Sequence, residues 1–179
     1  LVPDDGAVDR ARDILSGFPV HFQHAYETRF AAKIGLGADD PALSDLLSRL
    51  LFMMAKERVD FTLTFSTLLG GAKTGDFADF RTLFLQPSAP DDWLGDWKTR
   101  IENCGHARAI ARMSQANPAV IARNHRVQQA IDAALASDFA PFRRLIDVLK
   151  KPFDLAPADG HYATPPNPDE VVMQTYCGT

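Results

Sequence analysis

Leu43, Leu46, Leu47, Leu50, Leu51 and Met54 recur at spacings of three and four, which places all six on one face of an α-helix. No strand period puts them on a single face. A chain that repeats this pattern along most of its length has few folds open to it, and this one does. Val8, Ala11, Leu15 and Phe18 form one stripe, and Phe22, Ala25, Tyr26 and Phe30 form a second beyond Pro19. Val127, Ala130, Ile131, Ala134 and Leu135 predict a helix from Asn124, and Phe142, Leu145, Ile146 and Leu149 predict another after Ser137-Asp138.

The punctuation agrees with helices. Gly35 and Gly37 offer a stop, and Asp40-Pro41 reads as an N-cap followed by proline at the first helical position. "VDFTLTFSTLLGG" (59–71) alternates enough to suit a strand, but its neighbours are helical and it is read as helix. "GDFADFRTLFLQP" (75–87) restarts with Asp76 as cap and buries Phe77, Phe80 and Phe84. One long helix is expected over about 92–115, with Trp93 and Trp97 one turn apart pinning it to the body. Asn117-Pro118 marks a turn.

Two stretches break the pattern. "QPSAPDD" (86–92) is rich in turn formers and reads as an internal linker between helical segments 1–85 and 93–151. From residue 152, prolines at 152, 157, 165, 166 and 168 exclude a long helix. The segment 152–179 is expected to run extended over the surface with polyproline-like pieces. The fold class is all-α with an irregular proline-rich tail.

Composition bounds the function. Hydrophobic residues make up 46% and charged residues 23% of 179 residues, the balance of a globular protein with one ordinary core. The net charge of -4 weighs against a dedicated nucleic-acid binder. The helix pair 124–149 superficially resembles a helix-turn-helix, with Arg143, Arg144, Lys150 and Lys151 on its second helix, but the acidic balance weighs against that use too. The longest apolar run, "LLSRLLFMMA" (46–55), is short and broken by Arg49, so no membrane partner is expected. The opening "LVPDDGAVDRARDIL" has no methionine, basic n-region or apolar h-region. It reads as the interior of a longer chain. Two widely spaced cysteines do not make a secreted disulfide framework, which points to a reducing, cytoplasmic compartment.

Few motifs suggest chemistry. Gly70-Gly71 with Lys73 and Thr74 hints at a phosphate loop but lacks the spacing and the preceding strand. His21, His24 and Glu27 share a helix edge and are zinc-ligand types, with no evident fourth ligand. Arg108, Arg112, Arg123, His125 and Arg126 gather charge around Asn117-Pro118. They can receive phosphate or an acidic partner, or pair with acids on neighbouring helices, with Arg123 and Asn124 bonding backbone carbonyls of the turn. Cys104 reads as a buried small hydrophobe. Cys177, beyond the proline-rich arm, is either a redox thiol on that arm or an inert tail residue.

Residues 112–154, from "RMSQANPAVIARNH" to "LKKPFD", together with "YATPP" (162–166) and "TYCGT" (175–179), resemble the C-terminal part of the selenoprotein O family, also called YdiU-like proteins. "VDFTLTFSTLL", "WLGDWKTRI" and the opening helical stretch are similar to weaker family sections, so the resemblance spans essentially the whole chain. It implies a parent with a protein-kinase-like fold that transfers AMP from ATP, bound with Mg2+, to hydroxyl side chains of protein substrates. The implied catalytic, ATP-binding and metal residues all lie upstream. None is placed in this chain, so the chain alone is expected to be inactive and to hold no cofactor. Its implied partners are the upstream catalytic core and the parent's protein substrates. One position matches. Cys177 stands where members carry selenocysteine or cysteine, which implies redox control through a bond to a cysteine of the catalytic part. Tyr176 stands where phenylalanine is common and Ser66 where arginine is expected. The alternative is a free-standing helical adaptor that binds partner peptides in a groove.

Overall fold

The computed structural model describes residues 5–174, and Cys177 lies outside them. Among the described residues every regular element is a helix. Eight α-helices run in order: α1 Asp5–Lys33, α2 Leu43–Glu57, α3 Phe61–Thr74, α4 Ala78–Arg81, α5 Asp91–Cys104, α6 His106–Ala116, α7 Asn124–Leu135 and α8 Ala140–Leu149. Two 3-10 turns, Pro157–Tyr162 and Pro168–Glu170, follow in the tail.

The core gathers the C-terminal end of α1 with α2, α3, α5 and α6. The leucine stripe of α2 supplies Leu43, Leu46, Leu47, Leu50 and Met54, all buried. Trp93 and Trp97 stack nearly parallel, with ring centroids 5.8 Å apart and 9° between planes. Their indole N–H groups donate to the Leu46 and Ile34 carbonyls, each at 2.8 Å. An aromatic side chain with a polar edge is buried at low cost only when that edge finds an acceptor, and both do. The two tryptophans thus bind α5 to α2 and to the end of α1. Phe77, Phe80 and Phe84 close the other side of the stack.

Several boundaries differ from the sequence expectation. The expected helix over 92–115 is two helices, because Gly105 sits at φ 94 and ψ 100, outside helical space. A residue with a side chain rarely adopts that conformation, and the chain uses it to turn α6 back onto α1 and α3. Helix α2 starts at Leu43 rather than Pro41, since the Asp40 carboxylate accepts the Ala42 N–H at 2.9 Å and holds residues 40–42 in a turn. Conversely, α1 runs unbroken through Pro19. The lost proline N–H falls on a solvent-exposed stretch, where water can serve the freed carbonyl. The stretch 75–87 yields only the short α4, yet Phe77, Phe80 and Phe84 are all buried as its spacing implied. The stripe around Phe22 and Ala25 is exposed rather than buried.

Helices α7 and α8 pack chiefly on each other as a hairpin. The tail holds this hairpin and the segment that leads into it. Pro152 O accepts the N–H groups of Ala119 and Val120, at 2.7 and 3.2 Å. Arg144 Nε donates to Asp159 at 3.1 Å and Gln129 donates to Glu170 at 2.9 Å. The tail is therefore bonded down in short turns rather than running freely extended.

Candidate functional site

The arginine-rich segment at Asn117–Arg126 is the joint between the core and the hairpin. Asn117 is buried and donates its amide to Lys33 O at 2.8 Å. Lys33 answers by donating to Ala116 O at 3.1 Å. Arg123, also buried, makes a two-pronged bond to Asp60: Nη1 to Oδ2 at 2.7 Å and Nη2 to Oδ1 at 3.2 Å. The expectation that Arg123 serves backbone carbonyls of the turn is corrected here, because a planar guanidinium matches a carboxylate better. Asp60 is in turn the N-cap of α3, accepting the Leu63 N–H at 2.8 Å. Burial works to raise the Asp60 carboxyl, but hydrogen bonds from Arg123 and the Leu63 N–H outweigh it and hold the group below the ordinary aspartate range.

Arg126 donates to Thr164 Oγ1 at 3.0 Å and lies 3.9 Å from Glu170. His125 is buried, and burial together with the neighbouring Arg126 lowers its pKa, so the ring is neutral near pH 7. Three buried nitrogens here, Arg123 Nε, His125 Nε2 and Arg126 Nε, have no hydrogen-bond partner among the described residues. Arg108 is exposed on α6, and Arg112 reaches Gly35 O at 3.5 Å. The basic cluster of the sequence is therefore divided between a buried strut at Arg123, a buried neutral His125 with the partly buried Arg126 beside it, and Arg112 and Arg108 on α6, of which Arg108 is exposed.

A second polar group forms around Cys104, which is half-buried rather than buried. Its Sγ donates to Asp40 Oδ2 at 3.2 Å, and Arg100 Nε donates to the same carboxylate at 2.8 and 3.0 Å. The hydrogen bond to Asp40, with burial second, pushes the thiol pKa up. A thiol so held reacts slowly, because the thiolate is the nucleophile. Neither Asp60 nor Asp40 stood out in the sequence as a partner. Asp60 before an apolar helical run carried an N-cap signal, but its guanidinium partner stands 63 residues away.

The other candidates resolve as structure. Gly70, Gly71, Lys73 and Thr74 lie within α3, where helical N–H groups are committed to the helix and cannot cradle a phosphate. His21 and His24 are exposed on α1, and Glu27 accepts a hydrogen bond from Gln23 at 2.6 Å. No group of three or more His, Cys, Asp or Glu able to hold a metal ion is present among the described residues. No described helix is long and apolar enough to cross a membrane. Between α7 and α8 lies a cleft of about 600 Å3, lined by apolar side chains including Ile131, Leu135, Phe139, Phe142 and Ile146.

These geometries define a helical scaffold with a buried arginine strut. A sequence model of the family described as "Protein adenylyltransferase SelO" matches residues 7–150, and the chain belongs to that family. Among its relatives is the protein nucleotidyltransferase YdiU of Bradyrhizobium sp. (strain BTAi1), 42% identical over 178 residues that cover 98% of this chain and 36% of the relative. YdiU of Nitrobacter winogradskyi is 40% identical over 184 residues, 100% of this chain and 36% of the relative. YdiU of Rhodopseudomonas palustris (strain BisB5) is 43% identical, covering 98% and 37%. The chain thus spans little more than a third of the length of these relatives.

Proposed function

We propose that the chain is the C-terminal helical region of an ATP-dependent protein adenylyltransferase, and that it braces a kinase-like catalytic core supplied by the rest of the full-length protein. The family match over 7–150 carries this reading. In the full reaction a protein hydroxyl would attack the α-phosphorus of ATP, AMP would pass to that oxygen, and pyrophosphate would leave. The residues that hold ATP and Mg2+ belong to the preceding part. The described residues of this chain offer them neither a metal-ligand cluster nor a phosphate-cradling loop, so no step of the transfer is assigned here. Their work is to hold shape: the Asp60–Arg123 strut and the tryptophan stack fix the platform against which a catalytic lobe is set.

Cys177 is proposed as the regulatory thiol. Its pairing with a cysteine of the catalytic core would form a disulfide, releasing two protons and passing two electrons to an oxidant, and would couple activity to redox poise. The bonded-down tail supports the reading, because it lies beside α7 along a defined path as far as residue 172. Cys104 supports it in another way, since Asp40 keeps the chain's other thiol protonated.

The test uses the full-length protein. Transfer of AMP from labelled ATP to protein, with pyrophosphate release, is expected, and its absence with Mg2+ present overturns the enzymatic reading. Disulfide mapping by mass spectrometry under oxidising conditions is expected to join Cys177 to an upstream cysteine. Cys177 free throughout, or joined only to Cys104, overturns the redox reading.

A further inference from the structure

Helix α1 is supported along only part of its length. From Tyr26 onward it enters the core, but residues 6–25 are exposed almost without interruption, a projection of roughly 30 Å at 1.5 Å per residue. An unsupported helix of that length is marginal in water. The projecting part is nevertheless strongly patterned. Ala11, Ile14, Leu15, Phe18 and Phe22 fall within about 100° of arc at 3.6 residues per turn. Asp9, Asp13 and Ser16 occupy the opposite side; Val8 borders the stripe and Val20 lies off it. Exposure is 76% at Ile14, 70% at Leu15, 63% at Phe18 and 56% at Phe22. Apolar residues concentrated on one face to this degree mark a contact surface rather than ordinary surface variety.

The stripe is continuous with the core. Phe18, Phe22, Tyr26 and Phe30 form a ladder with successive ring centroids at 5.9, 6.2 and 4.5 Å. The ladder ends on Phe61 and Phe65 at 6.2 and 6.4 Å. One aromatic row therefore runs from buried to bare with no break in its spacing. What covers the bare half would extend the same core.

We infer that the apolar stripe of α1, from Ala11 to Phe22, is the docking face for the part of the full-length protein that precedes this chain. This rests on the reading that the chain is the C-terminal region. Relatives have nearly two-thirds of their length outside the match, so a domain-sized body is there to cover it. The bare half is the half nearest the point of covalent attachment, which gives the preceding part an effective concentration no free partner has. The docked stripe and the core form one continuous apolar seam, and α1 is the beam that joins the two bodies.

Hydrogen exchange of the full-length protein at two concentrations tenfold apart tests this. Amides of residues 11–24 are expected to exchange at least a hundredfold slower than an unstructured chain at both concentrations. Leu15→Lys is expected to lose most of that protection, while Ser16→Lys, one residue away on the polar face, leaves it unchanged. Exchange within tenfold of the unstructured rate overturns the docking. Protection that appears only at the higher concentration, with a doubled mass in solution, also overturns it and assigns the face to a second copy. AMP transfer measured on the same preparation separates the two readings. An active enzyme with fast exchange sinks the docking alone, and an inactive one with protected amides sinks the enzymatic reading alone.

Discussion

Arg123 reaches across 63 residues of sequence to grip Asp60, with Nη1 2.7 Å from Oδ2 and Nη2 3.2 Å from Oδ1. The same carboxylate caps α3 through the Leu63 N–H. One side chain therefore starts a helix and anchors the α7–α8 hairpin to the core. Losing it removes a helix cap and leaves a guanidinium buried without its partner.

Asp60→Asn and Arg123→Met are each expected to destabilise the protein by about 3 kcal/mol or more, the usual consequence of breaking a buried pair from one side. The double variant is expected to lose less than the sum, because neither charge is then stranded. Denaturant midpoints of the four proteins in the cycle measure this. Strict additivity would show that the two residues act independently.

The same pair sets a pH dependence. The Asp60 carboxyl is held below its ordinary value in the folded protein, so its contribution is fully present above the unfolded aspartate pKa of about 3.9. It is lost as pH falls below that value and through the lower folded one. Stability of the wild type is expected to fall more steeply than that of Asp60→Asn as pH drops below about 4. Parallel curves for the two proteins would remove Asp60 as a source of the slope.

Gly70 and Gly71 should respond in opposite directions to alanine. At Gly70 an added Cβ meets open space, and the gain in helix propensity is worth about 1 kcal/mol. At Gly71 the added atom falls into the Phe77 ring, and overpacking of this kind costs about 1–3 kcal/mol. Thermal unfolding of Gly70→Ala and Gly71→Ala reads the difference. Equal shifts would mean that Phe77 moves aside freely.

Cys104 is expected to alkylate slowly near pH 8, because its hydrogen bond to Asp40 keeps the proton on sulfur. Asp40→Asn removes that negative acceptor and leaves Arg100 beside the thiol, so the variant is expected to alkylate several-fold faster. Site-resolved mass spectrometry in a Cys177→Ser background follows the reaction, with far-UV circular dichroism confirming that the variant is folded. An unchanged or slower rate would show that access, not charge, governs the thiol.

Periodicity made α2, α7 and α8 legible in the sequence, and α3 was read as helix from its neighbours. Helix α2 buries the face that its spacings define, whereas Ile131, Leu135, Phe142 and Ile146 of the α7–α8 stripes stand exposed around the cleft between those helices. The tryptophans were legible too, being large apolar side chains one turn apart. What escaped was set by distance and by single backbone angles. Asp60 meets Arg123, and Asp40 meets Arg100, only after the chain has folded back over about sixty residues. The split at Gly105 depends on one conformation that glycine permits and does not announce. Pro19 was misleading in the other direction, because its missing hydrogen bond lies on the exposed part of α1. The stripe of α1 was readable as apolar, but the sequence pattern does not distinguish a face covered by its own core from one that meets a body elsewhere in the protein.

Both tryptophans of the chain stand in one parallel stack inside the core. Their fluorescence therefore reports on α2, α5 and the end of α1, and carries no direct signal from the hairpin or the tail. Rings 5.8 Å apart and 9° from parallel are close enough for their electronic transitions to couple, so the pair should leave a paired band in circular dichroism that vanishes when either ring is replaced. An observer who follows emission alone would record an intact domain while α7 and α8 had already come away. Any spectroscopic titration of this region needs a second reporter beyond Arg123.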